Sequence, residues 1–201
     1  MRKIIVQTFV TLDGVMQGPG GPDEDRDGGF AHGGWSVNYW DEMMGEVMGA
    51  AMASPYDLLL GRRTYDIFAG HWPRANDPVV TPKFNAATKF VLTHRPESAF
   101  WENTVAISGA DEIAALKAGA GPDLSVSGSA SLIQLLLQRG LVDQFQLWVF
   151  PLVLGSGKRL FGPGTVPAGL KLDSAVVSTT GVQIMDFSRA ERAATGSFAL
   201  E

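Results

Sequence analysis

Short apolar runs alternate along the chain with stretches whose apolar residues recur at helical spacing, and nearly every run stops at glycine or a polar turn. Residues 3–12 form the first run, a buried strand ended by Asp13 and Gly14. Residues 17–34 hold nine glycines and prolines among charged side chains, which predicts a long surface loop. A helix is predicted from Asn38, with Trp40, Met43, Met44, Val47, Met48 and Ala51 on one face and Asp41, Glu42 and Glu46 off its centre. The methionines on that face read as core packing. Residues 57–60 are a short buried strand broken by Gly61, and a helix opens over 62–68. The pattern repeats at strand 90–92, whose polar exit is Thr93, His94, Arg95 and Pro96, and again at strand 104–107 before helix 110–118.

The stretch 124–161 carries the strongest local signals. A short apolar strand meets Gly128, Ser129, Ala130 and Ser131, and a helix follows in which Ser131 and Gln134 have capping-box spacing and Gly140 is the stop. Residues 144–150 alternate and then turn fully apolar, and Pro151 ends them. Residues 176–188 read as a hairpin. Strands alternating with helices imply an α/β fold with a mostly parallel central sheet covered on both faces, here with an antiparallel C-terminal edge. No internal repeat is present, and 201 residues fit one sizeable domain over 1–201.

Composition narrows the chemistry. The chain has no cysteine, which excludes disulfides, thiol catalysis and cysteine-ligated zinc and agrees with a cytoplasmic setting. No apolar segment approaches a membrane span, and the basic start at Arg2 and Lys3 precedes a strand pattern rather than a signal peptide. A net charge of -5 with scattered basic residues gives no footprint for a nucleic-acid backbone. A small-molecule partner fits better. His32, His71 and His94 lie in separate segments without metal-binding spacing, so no metal is expected.

Anion chemistry gathers at three strand exits: Gly61, Arg62, Arg63 and Thr64; Thr93, His94 and Arg95; and Gly128, Ser129, Ala130, Ser131 and Leu132. At the last, a glycine lets the backbone approach a ligand, and the first helix amides have no partners within the helix, so a phosphate or pyrophosphate fits. Arginine adds a charged planar fork and threonine a hydroxyl donor. The sequence GSGK at 155–158 is not a nucleotide-kinase loop. That motif needs a glycine where Leu152 stands and Ser or Thr where Arg159 stands.

Order and spacing of TLDG at 11–14, LLLGRRTYD at 58–66, VLTHRP at 91–96 and the stretch 126–161 resemble the dihydrofolate-reductase-like superfamily. The likeness is greatest to its branch containing the reductase domain of bacterial riboflavin biosynthesis. The resemblance covers nearly the whole chain and implies a three-layer α/β fold, an NADPH cofactor, and a homodimer. It also implies that the turns at 61–64 and 93–95 grip the adenosine 2'-phosphate and pyrophosphate, and that the turn at 128–132 cradles the pyrophosphate. Asp41, beside Trp40, matches the pterin-binding carboxylate loosely and is the catalytic candidate; its alternative is a first-turn charge favoured by the helix dipole. Asp13 resembles the aspartate of the turn near nicotinamide and substrate, with a plain turn residue as its alternative. Gly128-Ser129 stands where classical relatives have a glycine pair joined by a cis peptide, a costly geometry away from proline, and the isomer stays open. The implied activity is hydride transfer from NADPH to a small pyrimidine- or pteridine-like substrate. A module that binds NADPH without turnover is the other reading, and NADPH oxidation separates the two.

Overall fold

A computed structural model describes residues 1–190, 193 and 195–198. Its centre is an eight-stranded sheet in the order β4-β3-β2-β5-β1-β6-β8-β7. In chain order these are β1 (Ile4–Thr11), α1 (Glu42–Ala51), β2 (Tyr56–Gly61), α2 (Arg62–His71), α3 (Val80–Ala86), β3 (Lys89–Leu92), β4 (Thr104–Ile107), α4 (Ala110–Ala118), β5 (Asp123–Ser127), α5 (Ala130–Gln138), β6 (Gln144–Phe150), β7 (Leu170–Val177) and β8 (Gln183–Arg189). Strands β1 to β6 pair in parallel, β8 lies antiparallel to β6, and β7 antiparallel to β8.

The two-residue period of the strands divides the core between two faces. On one face Ile4, Val6 and Val10 of β1 pack with Leu59, Leu124, Val126 and Phe145 under Ile113 of α4 and Ile133 and Leu136 of α5. Truncating Leu136, which is fully buried, to alanine would cost about 2–5 kcal/mol. The other face holds two separate clusters. Trp148, Phe150 and Ile184 pack with Phe9 under Met44 of α1 and under Phe30 and Trp35 of the loop after β1. Leu58, Leu60 and Val91 pack with Tyr65 of α2 and Phe84 of α3. Between these clusters, over β5 and β1, the inward positions are Ser125, Ser127 and Gln7. That polar gap becomes the floor of a cavity.

Several elements differ from the sequence expectations. Residues 37–39 form a separate 3-10 turn and Trp40 is extended, so the helix expected from Asn38 begins at Glu42, with Asp41 as its N-cap. The capping box at Ser131 and Gln134 does not form. Ser129 is the N-cap of α5, and Gln134 instead donates to the Leu160 carbonyl at 2.6 Å and accepts from the Thr165 hydroxyl at 3.0 Å. Helix α3 lies outside the expected pattern, because Pro78 and Pro82 mark breaks; Pro82 sits in its first turn, where a missing N–H costs nothing. The hairpin starts at Leu170 rather than 176, since β7 is exposed along its length and lacks a burial alternation. The stretch 17–34 is not a plain surface loop: Gln17 and Phe30 are buried, and the indole of the buried Trp35 just after it donates to the Gln17 carbonyl at 2.7 Å.

Candidate functional site

The carboxyl ends of β2 and β5 stand side by side, and each runs directly into a helix. At the end of β5, Gly128 (φ 60) and Ser129 (φ 62) are both left-handed, and no peptide bond among the described residues is cis. A left-handed serine is disfavoured by about 1–2 kcal/mol and persists here because its hydroxyl accepts the Gly61 N–H at 2.9 Å, tying the two turns together. A Cβ on Gly128 would stand 3.4 Å from the Thr64 hydroxyl, so the space above this turn exists because residue 128 is glycine. Ala130, Ser131 and Leu132 then supply helix amides with no partner inside α5.

The two arginines after Gly61 do different things. Arg62 is committed to the protein: its Nε meets both Asp66 oxygens, and its Nη atoms donate to the Arg95 and Ser98 carbonyls and the Ser98 hydroxyl. Arg63 is exposed and pairs with Asp25 at 2.7 Å and Asp27 at 3.4 Å, two carboxylates of the loop after β1. Thr93, His94 and Arg95 lie beside this turn, since Gly61 pairs with Leu92. Thr93 is buried and accepts the Arg95 N–H, while the His94 and Arg95 side chains are exposed and off the cavity wall.

That wall encloses about 720 Å³, within the range of small-molecule sites. Gly61, Arg62, Arg63 and Thr64 line one end together with Gly128, Ser129, Ala130, Ser131 and Leu132. The other end is aromatic and amide-rich. Phe9, Trp40, Trp148, Met48, Gln7 and Gln146 line it, with Trp40 stacked on Trp148 at 5.9 Å and 5°, while Tyr56 joins the wall from the amino end of β2, beside Phe84. The Tyr56 hydroxyl is buried without a hydrogen-bond partner among the described residues, and burial pushes its pKa up to about 12, so it stays protonated as a donor. Met48 is on the wall as well as against the core, beyond the packing role read for it in the sequence.

Neither aspartate singled out from the sequence lines the cavity. Asp41 Oδ1 accepts the Met44 N–H at 2.9 Å as the cap of α1, and Oδ2 accepts the Thr179 N–H and hydroxyl at 2.8 and 2.7 Å. The Thr179 hydroxyl, then the cap, hold its pKa below the ordinary carboxylate value. Its capacity is used by the helix start and the C-terminal hairpin, which is the physical reason it is the dipole-favoured charge rather than a group presented to a ring. Asp13 accepts from the Thr11 hydroxyl at 2.5 Å, from Gly155 N–H at 2.8 Å and from Leu154 N–H at 3.2 Å, with Arg159 at 3.3 Å. Those bonds, the Thr11 hydroxyl first, bring its pKa down to about 2. It ties the turn after β1 to the loop after β6.

The glycines and cations of that second loop complete a clasp. Lys158 pairs with Asp25 at 2.8 Å and Asp27 at 2.9 Å, and Gln17 accepts the Lys158 N–H at 3.0 Å. A Cβ on Gly157 would come within 2.7 Å of Val15 and 2.9 Å of Phe30, so glycine lets the loops close on each other. Asp25 and Asp27 thus bridge Lys158 to Arg63 beside the cavity. Beside them Glu24 lines the wall and accepts the Gly20 N–H; burial raises its pKa, against the Gly20 and Gly21 amides and His71 and together with Asp25.

Sequence reasoning missed Gln7, Gln146, Tyr56 and Glu24. For Gln7 a signal existed: it interrupts the apolar face between Ile5 and Phe9.

The family described as RibD C-terminal domain matches residues 2–185. Two Bacillus subtilis (strain 168) proteins, YyaP and YwjB, both named as uncharacterized, are 29% identical over 191 and 192 residues. The matches cover 90% of this chain and 92% of YyaP, and 91% and 96% for YwjB. Among solved structures, a protein from Shewanella sp. PV-4 named for riboflavin biosynthesis superposes with a TM-score of 0.65 at 20% identity, over 94% of this chain and 99% of that one. A pyrimidine reductase-like protein from Corynebacterium diphtheriae gives 0.62 at 14% identity, over 94% and 92%. Dihydrofolate reductase from Enterococcus faecalis, complexed with NADP(H), gives 0.56 at 13%, over 94% and 96%. The architecture is therefore the dihydrofolate-reductase-like α/β fold.

Proposed function

This chain belongs to the RibD C-terminal domain family, and on that premise we propose that it is a single-domain NADPH-dependent reductase acting on a small pyrimidine- or pteridine-like substrate. The observation that carries the reading is one continuous cavity with a glycine and helix-amide cradle at one end and an aromatic, amide-lined wall at the other. NADPH would supply the hydride. The residues present fit it: the space that a Cβ on Gly128 would fill admits a phosphate beside Thr64, and the α5 amides face anionic oxygen with donors and a favourable dipole. Arg63 is the cation for the 2'-phosphate, exchanging Asp25 and Asp27 for the ligand, and Arg62 braces the turn at 93–95 beside it. His94 and Arg95 would reach the phosphates from outside the cavity wall.

At the far end Phe9, Trp40 and Trp148 would hold the acceptor ring flat and exclude water. Reduction of a C=N or C=O bond adds a hydride and a proton. Glu24 is the wall carboxyl whose burial favours the protonated form, and we assign it the proton in place of Asp41. The direct test is NADPH oxidation against a panel of pyrimidine, pteridine and carbonyl compounds. Turnover of any member supports the reading; tight NADPH binding with no turnover would favour a binding module.

The same reading includes a cytoplasmic homodimer. Strand β7 ends the sheet and all its residues are exposed, Leu172, Val176 and Val177 among them, which is an unpaired edge that a second copy would cover. Sedimentation of the pure protein should give twice the chain mass. Leu170→Pro removes an N–H that points away from β8 and tests whether this edge is the contact.

A further inference from the structure

A chain of hydrogen bonds crosses the cavity floor, and its direction is set by its ends. The Trp148 indole can only donate, and it faces Gln146 Oε1 at 3.4 Å. The Asp186 carboxylate accepts from Gln146 Nε2 at 3.0 Å and from the Ser174 hydroxyl at 2.6 Å. Both neighbours therefore orient the Gln146 amide the same way. Gln7 Nε2 then donates to Gln146 Oε1 at 3.3 Å, which leaves Gln7 Oε1 as the acceptor for the Ser125 hydroxyl at 2.8 Å. A primary amide has two N–H groups and two lone pairs on oxygen. Gln7 uses one of each in the floor and keeps one of each at the cavity.

What surrounds that amide has a matching shape. Gln7 sits opposite Gln146, and the next pair on the same face, Phe9 and Trp148, begins the aromatic wall. The wall's carboxylates come from elsewhere and are engaged. Asp25 and Asp27 pair with Arg63 and Lys158 and Asp77 accepts the Val79 and Val80 N–H groups, while Glu24, held through one oxygen by the Gly20 N–H, is the acid assigned to proton delivery.

Resting on the reductase reading, we propose that Gln7 is the specificity-determining residue and reads a neutral donor–acceptor edge of the substrate ring. Its free N–H bonds a ring carbonyl and its Oε1 accepts the adjacent ring N–H. The substrate class is a planar lactam or imide heterocycle. A protonated 2,4-diaminopyrimidine presents donors at both positions, so it would set a donor against the remaining Gln7 N–H; a carboxylate is the side chain that suits such an edge.

The test compares 5-benzyluracil with 5-benzyl-2,4-diaminopyrimidine, at a pH below the ring pKa of the diamine, by quenching of tryptophan fluorescence and without NADPH. Wild type should bind the uracil at least about tenfold more tightly. Gln7→Glu should reverse the order, because its carboxylate accepts at both positions. Gln7→Met, which keeps the shape and removes the polar edge, should weaken the uracil by roughly tenfold and leave the diamine nearly unchanged. Circular dichroism checks folding, and either folded variant suffices. A wild type that prefers the diamine, a wild-type ratio retained in a folded variant, or binding of neither ring would overturn the assignment. The reductase reading fails separately: uracil selectivity that follows Gln7 with no NADPH oxidation by any ring would remove the reductase and leave the edge-reading role.

Discussion

Asp41 and Glu24 are carboxylic acids on neighbouring segments, and their hydrogen bonds assign them different work. Asp41 spends both oxygens on the start of α1 and on Thr179, whereas Glu24 lines the cavity with burial acting against its charge. Asp41→Ala should therefore lower the melting temperature and leave single-turnover hydride transfer unchanged at a temperature where the variant is folded. Glu24→Gln should do the opposite. With its proton source gone, hydride transfer should slow by about a hundredfold or more while NADPH affinity stays at the wild-type value. The sign with pH follows: a general acid is loaded below its pKa, so the wild-type rate should fall as pH rises through the raised Glu24 pKa, and the profile of Glu24→Gln should be flat. A Glu24→Gln protein with the wild-type profile would move proton delivery to water. The sequence made Asp41 conspicuous because it opens an amphipathic helix near two tryptophans. What it could not convey is that Thr179, 138 residues away, would take the other oxygen.

The elements that build the site were legible where local chemistry punctuates them. Gly61 and Gly128 end apolar runs and open helices, and those turns line one end of the cavity as positioned. The clasp between the loop after β1 and the loop after β6 was not legible, because Asp25 and Lys158 meet across 133 residues and neither carries a local signature. Asp13 belongs to the same clasp and gives it a pH dependence. Its pKa falls from 3.8 to about 2 in the folded protein, so the unfolded chain takes up its proton first on acidification. The stability it contributes is present above pH 4 and is lost as pH falls from about 4 towards 2. In urea titrations across that window, Asp13→Asn should flatten the acid limb of the stability curve; an unchanged limb would show that Asp13 is not what holds these loops together. Arg63 and its two carboxylates make a second prediction at this scale. Arg63→Met should reduce the preference for NADPH over NADH, and in wild type that preference should shrink as salt is raised, since the pairing is exposed and screened. Equal cofactor affinities at low salt would remove Arg63 from the 2'-phosphate.

For the whole molecule, the sheet order explains how one cavity would serve the two ligands proposed for it. Strand β5 lies between β2 and β1, so the turns after β2 and β5 meet at one edge of the gap while Gln7 and Phe9 of β1, paired with Gln146 and Trp148 of β6, floor the other. The alternation of strands and helices made this α/β architecture legible. Its polar floor was legible only as an interruption: Gln7 breaks the apolar face between Ile5 and Phe9, but a glutamine in an alternating strand has the same local pattern whether it faces solvent or a cavity. Everything proposed for the chemistry depends on NADPH lying across that edge with its phosphates at Gly128. The most direct measurement is calorimetric titration of NADPH into wild type and Gly128→Val, with circular dichroism to establish that the variant is folded. A valine there must hold a left-handed backbone and place its side chain against Thr64, in the space assigned to the pyrophosphate. Wild type should bind NADPH and the folded variant should not; unchanged affinity in a folded Gly128→Val protein would contradict the account.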